Sequence, residues 1–119
     1  GTVGWTDWNI LLDHTGGPNH VQNFCFAPIH GDTRTGELIY TPTYYYIGHF
    51  SKFVRPDAER ISTSSSRSFL LATSFINLDE QMATIVMNHT NDPIDYNFFV
   101  GEKQAKLTIP PRAMQTLVY

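Results

Sequence analysis

Four carboxylates in the first third of the chain are the first candidates for chemistry: Asp7, Asp13, Asp32 and Glu37. Glycosidic bonds are hydrolysed by two such groups, one acting as an acid and the other as a nucleophile or base. None of the four stands in a sequence context that assigns it either role. Asp7, beside two tryptophans, is the best candidate, but an Asp on a strand is more often a structural hydrogen-bonding group. We therefore predict no catalytic residue in this chain.

The histidines and the single cysteine do not form a recognisable metal or nucleophile motif. His14 and His20 are six residues apart on a predicted loop, and no partner completes a known ligand spacing. Cys25 could act as a nucleophile with His20 or His30 as its base, but closeness in sequence does not supply the geometry. Between two phenylalanines, Cys25 is predicted to be a buried thiol. No metal and no cofactor are predicted.

Trp8, Asn23 and Phe24 carry a more specific signal. Sugar sites combine an aromatic face, which stacks on the apolar C–H face of a pyranose, with amides that hydrogen-bond its hydroxyls. A Trp at a strand end followed by a loop amide fits such a site. The tryptophans could equally be core anchors, with Asn19 and Asn23 serving only to cap turns. Residue types and spacing leave both interpretations open.

Composition suits a globular protein and excludes several classes of partner. The 119 residues are 41% hydrophobic and 16% charged. A formal net charge of −3, with scattered Lys and Arg, gives no case for binding nucleic acid or an anionic membrane surface. No apolar run approaches the roughly 20 residues that cross a bilayer, so no transmembrane segment is predicted.

The first half of the chain has the pattern of an α/β unit. It is predicted to contain a strand at 2–12, a long loop at 13–36, a short strand at 37–40 and a helix at 43–54. Thr41 is the predicted N-cap and Pro42 the first helical residue, because Pro lacks the N–H that this position leaves unpaired. Loops as long as 13–36 are commonly functional in compact domains.

The pattern changes to all-β near residue 56. Six short strands, separated by turn residues at a spacing of about 8–12 residues, predict an antiparallel sandwich. The strands are predicted at 60–64, 69–76, 81–88, 94–100, 105–109 and 114–119. One of them ends in Asn88-His89-Thr90, which matches an N-glycosylation sequon. The change of pattern divides the chain into domains 1–56 and 57–119.

Five segments, in this order and spacing, closely resemble the C-terminal part of glycoside hydrolase family 30. They are GWTDWN at 4–9, GGPN at 16–19, NF at 23–24, PI at 28–29 and YIGHFSKF at 46–53. The family includes lysosomal glucosylceramidases and endo-β-1,6-glucanases. The resemblance is dense over 3–61 and looser to the end of the chain.

The resemblance implies a mainly β chain, in which an antiparallel β-sandwich follows the last βα unit of an incomplete (β/α)8 barrel. Residues 2–10 would be the last barrel strand, 43–54 the last barrel helix and 59–119 most of the sandwich. Family members are retaining enzymes whose two catalytic glutamates lie on earlier barrel strands, so both are expected upstream of Gly1. Trp8 matches a tryptophan that lines the sugar-binding subsite, Asn23 matches an amide at the same pocket, and Phe24 lies beside it; all three are therefore expected to bind substrate.

The expected function is therefore that of the C-terminal portion of a retaining β-glycosidase, of glucosylceramidase or endo-β-1,6-glucanase type. The chain would be inactive alone. Its partners would be a β-glucan or glucoside substrate and the missing N-terminal barrel of the same polypeptide. The alternative is a non-catalytic sandwich, serving either as a scaffold or as a carbohydrate-binding module with Tyr96, Phe98 and Phe99 as its binding aromatics. The sequence leaves the compartment open, although a bacterial parent would be secreted or periplasmic.

Overall fold

A computed structural model describes residues 2–119 and divides them into two compact units. The N-terminal unit extends to Ile47 and the C-terminal unit begins at Gly48. Over the described residues there are nine strands and one helix, so the chain is mainly β, as predicted.

The N-terminal unit contains a three-stranded sheet in the order β1-β2-β3. Its strands are β1 (Leu11–Asp13), β2 (Ile29–Gly31) and β3 (Leu38–Tyr40). β1 pairs with β2 in parallel, and β2 pairs with β3 in an antiparallel register. The predicted short strand at 37–40 is confirmed as β3. The apolar stretch of the predicted loop, residues 24–29, leads into β2.

The strand predicted at 2–12 is mostly absent, and this prediction is wrong. Only its last two residues belong to β1, and within residues 2–119 no β-ladder includes any residue of 2–10. A strand needs a neighbour for its backbone N–H and C=O groups, and β2 pairs with Leu11–Asp13 and, beyond them, only donates the Ile29 N–H to the Ile10 carbonyl at 3.0 Å. The apolar side chains of Val3, Trp5 and Ile10 are accordingly exposed.

The helix α1 (Pro42–Ser51) is shorter than predicted. Pro42 is its first residue, as expected, and the chain continues beyond Ser51 in turns closed by bonds such as Val54 N–H to Phe50 O at 2.9 Å. Thr41 precedes the helix, but its hydroxyl does not cap it. Instead it donates to the backbone carbonyls of Ala27 and Pro28, at 3.3 and 3.0 Å, and so fastens the helix start to the end of the long loop.

The C-terminal unit is an antiparallel sandwich. Its larger sheet has the order β4-β5-β6-β9, and β7 and β8 form a second, two-stranded sheet. The strands are β4 (Glu59–Ile61), β5 (Leu70–Ile76), β6 (Met82–Asn88), β7 (Ile94–Val100), β8 (Lys103–Ile109) and β9 (Met114–Val118). All six predicted strands are present, and a core of Leu70, Val86 and Ile109 joins the two sheets.

Asn88 is a structural residue of this sandwich. Its side chain is completely buried, with 0% exposure. The amide nitrogen donates to the carbonyls of Asp92 and Pro110 at 2.7 and 2.9 Å, and the amide oxygen accepts from the Thr90 backbone N–H and hydroxyl. Because the nitrogen that would carry a glycan is inside the fold, the sequon is not an acceptor site in the folded protein.

Candidate functional site

The candidate site is the β1–β2 loop, residues 14–28, which begins with a tight turn directly after β1. Asp13 Oδ1 accepts hydrogen bonds from the Thr15 hydroxyl at 2.6 Å, the Thr15 N–H at 2.8 Å and the Gly17 N–H at 2.9 Å. These bonds, that of the Thr15 hydroxyl above all, lower the pKa of the Asp13 carboxyl. Asp13 is thus committed to shaping the loop rather than to acid–base chemistry.

Gly16 allows the two sides of the loop to approach closely. Its φ is +77°, and a Cβ at this position would lie 2.4 Å from the Cys25 nitrogen and 2.7 Å from the Cys25 oxygen. The Gly16 carbonyl accepts the Cys25 N–H at 3.2 Å. Only glycine satisfies both the left-handed backbone and the close approach.

Asn19 holds the far end of the loop through four backbone hydrogen bonds. Its Nδ2 donates to the carbonyls of Gly16 and Asn23 at 3.1 and 2.7 Å. Its Oδ1 accepts the N–H groups of Val21 and Asn23 at 3.1 and 3.3 Å. The turn-capping interpretation is therefore correct for Asn19.

The side chain of Asn23 is exposed and largely unengaged. Its Oδ1 lies 3.7 Å from the Cys25 sulfur, and its Nδ2 has no hydrogen-bond partner among residues 2–119. The backbone of Asn23 is fixed by Asn19 from both sides. The loop thus presents an amide on a constrained backbone, and that amide does not cap a turn.

Phe24 rests on a buried histidine. Its ring stacks on the imidazole of His30, with centroids 5.5 Å apart and an interplanar angle of 16°. His30 is 6% exposed, and Phe26 contacts the same imidazole edge-on. Phe24 itself is 60% exposed, so the loop displays an apolar ring with one side supported. Nothing in the sequence pattern singled out His30 for this role.

Trp8 lies on the unpaired stretch before β1 and is 76% exposed, and Trp5 is 78% exposed. Neither tryptophan is a core anchor in this chain. The backbone N–H of Trp8 donates to Asp7 Oδ1 at 2.8 Å, and the indole N–H has no hydrogen-bond partner among residues 2–119. Within residues 2–119 no hydrogen bond or ring contact joins Trp8 to the loop residues, so only Asn23 and Phe24 are brought together.

The other carboxylates in the first third of the chain are Asp32, Asp7 and Glu37, and the first two make structural hydrogen bonds. Asp32 is paired with Arg34, whose Nη2 and Nε lie 2.7 and 3.0 Å from its two oxygens. These hydrogen bonds hold the pKa of the Asp32 carboxyl well below its usual range. Asp7 binds the neighbouring backbone, and Glu37 is exposed just before β3. Among residues 2–119, no hydrogen bond joins any two of these carboxylates.

No three His, Cys, Asp or Glu side chains between residues 2 and 119 are close enough together to hold a metal ion. His14 is instead 3.3 Å from the Thr33 hydroxyl and 3.8 Å from Asp32. Cys25 is partly exposed rather than buried, and the flanking Phe24 and Phe26 are exposed as well. Among these same residues there is no helix of the length and apolarity that a bilayer crossing requires.

Comparison with known families decides the identity of both parts of the chain. Residues 1–54 match the glycosyl hydrolase family 30 TIM-barrel domain, and residues 57–117 match the glycosyl hydrolase family 30 beta sandwich domain. The chain belongs to glycosyl hydrolase family 30. The resemblance and the mixed fold inferred from the sequence, part of a barrel followed by a β-sandwich, are confirmed.

Individual relatives of this family 30 chain agree with that assignment. Lysosomal acid glucosylceramidase of Mus musculus is 36% identical over 93 residues, covering 77% of this chain and 18% of the relative. Putative glucosylceramidase 3 of Caenorhabditis elegans is 31% identical over 120 residues, covering 98% of this chain and 23% of the relative. The chain therefore spans less than a quarter of the length of these two curated relatives.

Solved structures show the same fold. SrfJ from Salmonella typhimurium superposes with a TM-score of 0.90 at 37% identity, over 95% of this chain and 25% of that one. The endo-β1,6-glucanase BT3312 superposes with a TM-score of 0.81 at 25% identity, over 92% of this chain and 25% of that one. A family 30 xylanase C from Talaromyces cellulolyticus, at 20% identity and a TM-score of 0.67, shares the fold.

Proposed function

We propose that this chain is the C-terminal portion of a retaining β-glycosidase, of glucosylceramidase or endo-β-1,6-glucanase type, that hydrolyses β-glucosidic bonds. The observation that carries this proposal is the match of consecutive segments to the barrel and sandwich models of one glycosidase family. The two predicted domains would have different roles. Residues 1–56 would contribute to the substrate pocket, and the sandwich at 57–119 would support that part of the enzyme.

Asn23 and Phe24 are proposed as sugar-binding residues of the β1–β2 loop. An exposed ring beside an unengaged amide offers both contacts that a pyranose uses, an apolar face and a hydrogen-bonding group. Trp8 is proposed as a second stacking surface. Its large exposure leaves the indole free for a ligand, and the substrate or the remaining barrel would bring it and the loop into one pocket.

Both catalytic glutamates are proposed to lie outside residues 1–119, which leaves these residues inactive alone. The four glutamates of the chain support this view by their positions. Glu37 precedes β3 and Glu59 begins β4, whereas Glu80 and Glu102 lie in the β5–β6 and β7–β8 turns. Only Glu37 follows a parallel strand, β2, and the other three belong to the C-terminal unit, whereas barrel enzymes place both catalytic groups at the carboxyl ends of parallel strands.

Replacing Trp8 by Ala in the longer glycosidase tests the proposed site. Loss of a stacking surface worth about 1.4 kcal/mol is expected to lower turnover roughly tenfold. Trp5→Ala is the matched control, since Trp5 is equally exposed three residues earlier and is expected to leave turnover unchanged. Wild-type kinetics in Trp8→Ala would refute the assignment of Trp8.

The alternative of a free-standing carbohydrate-binding module is disfavoured by the β7 side chains. Residues alternate along this strand, so Tyr96 and Phe98 turn inward, where Tyr96 packs against the core and Phe98 contacts Tyr119. Phe99 alone of the three faces outward, at 62% exposure. Three aromatics divided between two faces do not form a glycan-binding platform. Calorimetric titration of the 119-residue chain with β-glucans distinguishes the hypotheses, because tight binding would favour the module.

A further inference from the structure

We infer that His30 is a positioning residue, which fixes the ring of Phe24 in the β1–β2 loop. The inference rests on the proposed sugar-binding role of that loop. In this view β2, the strand that follows the loop, holds the ring of Phe24 in the orientation that meets the ligand.

His30 occupies the centre of the N-terminal sheet. It is the middle residue of β2 and pairs with Leu12 of β1 on one side and with Ile39 of β3 on the other. Its backbone is therefore fixed by both neighbouring strands. With 6% exposure, its imidazole lies within the unit rather than in solvent.

The imidazole of His30 links the two ends of the β1–β2 loop. Nδ1 lies 2.9 Å from the carbonyl oxygen of Asp13, the residue before the loop. Nε2 accepts the backbone N–H of Ala27, near the end of the loop, at 3.1 Å. A carbonyl can only accept and an amide N–H can only donate, so the ring is the neutral tautomer with its proton on Nδ1. Two bonds on opposite nitrogens prevent the ring from rotating.

A fixed imidazole gives Phe24 a fixed support. The Phe24 ring is nearly parallel to the imidazole, while Phe26 contacts it at 64°. Phe24 is 60% exposed and this stacking is its one aromatic contact among residues 2–119, so the plane of His30 sets the plane that Phe24 presents. Holding a binding group in place reduces the entropy lost when substrate is bound, and small misplacements of such groups lower rates strongly.

The first test is spectroscopic and independent of activity. With 4-fluorophenylalanine at position 24 of the longer glycosidase, the fluorine spectrum is expected to show one narrow resonance. His30→Phe keeps a stacking ring but leaves the Ala27 N–H unpaired and the Asp13 carbonyl with only its bond from the Gly16 N–H, so the ring loses both bonds that fix it and the resonance is expected to broaden or split. His20→Phe, at an exposed position of the same loop, is the control and is expected to leave it narrow. An unchanged resonance in His30→Phe would overturn the inference.

The second test is a double-mutant cycle in kcat/KM, measured where circular dichroism shows the variants folded. His30→Phe is expected to lower kcat/KM about tenfold in the wild-type background, through misplacement of Phe24. In a Phe24→Ala background the same change is expected to have little effect, because the group it positions is gone. Equal losses in both backgrounds would show a merely structural role and contradict the inference.

The two tests separate this inference from the proposed function. If Phe24→Ala leaves kcat/KM unchanged while His30→Phe still broadens the fluorine resonance, the sugar-binding role of Phe24 fails and the positioning by His30 stands. Should His30→Phe not fold, His30→Gln replaces it in both tests. Gln keeps a donor and an acceptor but removes the stacking ring, and the same two results are expected.

Discussion

His49 Nδ1 lies 2.8 Å from the hydroxyl oxygen of Thr116, a hydrogen bond between the end of helix α1 and strand β9. Both residues belong to the C-terminal unit, in which Phe50 also contacts the ring of Phe75. Burial of the imidazole lowers the pKa of His49. The last turn of the helix is thus part of the packing of the sandwich, and it carries a titratable group.

His49 is expected to make stability depend on pH. Because its folded-state pKa is below the unfolded value of about 6.5, the unfolded state binds protons first as the pH falls. The contribution of His49 is therefore complete above pH 6.5 and is lost as the pH falls through the folded pKa. His49→Gln is expected to remove this part of the pH dependence, measured as the melting temperature between pH 8 and pH 5. His89→Gln, at an exposed position, is the control. Identical pH profiles for wild type and His49→Gln would contradict the expectation.

Asn88→Ala is expected to destabilise the sandwich strongly. The substitution removes, from a completely buried site, the donor to the Asp92 and Pro110 carbonyls and the acceptor for the Thr90 N–H, at a cost on the order of 3 kcal/mol. Urea denaturation followed by circular dichroism measures the loss. Asn97→Ala on the exposed side of β7 is the matched control and is expected to change stability by less than about 0.5 kcal/mol. Similar losses in the two variants would show that the Asn88 network contributes little.

The sandwich was predictable because its strands find partners nearby in the sequence. β5 pairs with β6 and β7 pairs with β8 across short turns, so alternation and turn residues in one stretch of chain contain most of the information. The stretch at 2–10 carries an equally clear strand pattern. Its structure depends on neighbours that no local pattern supplies, and it belongs to no strand in the described chain.

The internal organisation of the candidate site was less predictable, because its bonds join residues that are distant along the chain. The Thr41 hydroxyl binds carbonyls 13 and 14 residues earlier, and His30 reaches back 17 residues to Asp13. Short motifs identify Thr41 as a cap and suggest His30 only as a possible base for Cys25. Asn19 and Asn23 look alike in sequence, and only the geometry separates the residue that organises the loop from the one that is free.

Gly16→Ala is expected to disrupt the loop. Its new Cβ would collide with the backbone of Cys25, and the positive φ adds a cost of about 1 kcal/mol. Gly36→Ala is the matched control, because Gly36 has nearly the same φ, +79°, but no atom within 4 Å of the added Cβ. The melting temperature is therefore expected to fall more in Gly16→Ala. Equal decreases would mean that the close approach of Gly16 to Cys25 contributes nothing beyond the backbone conformation.

Substitutions at Asn23 and Asn19 are expected to distinguish a residue that binds substrate from one that stabilises the loop. Asn23→Ala removes an exposed amide with little internal bonding, so the melting temperature of the longer glycosidase should be unchanged. Its kcat/KM should fall about tenfold, because an amide that contacts the sugar is lost. Asn19→Ala removes four backbone hydrogen bonds and should lower both quantities. Wild-type kinetics in Asn23→Ala would exclude a substrate contact at Asn23. A loss of stability equal to that of Asn19→Ala would instead make Asn23 a structural residue of the loop.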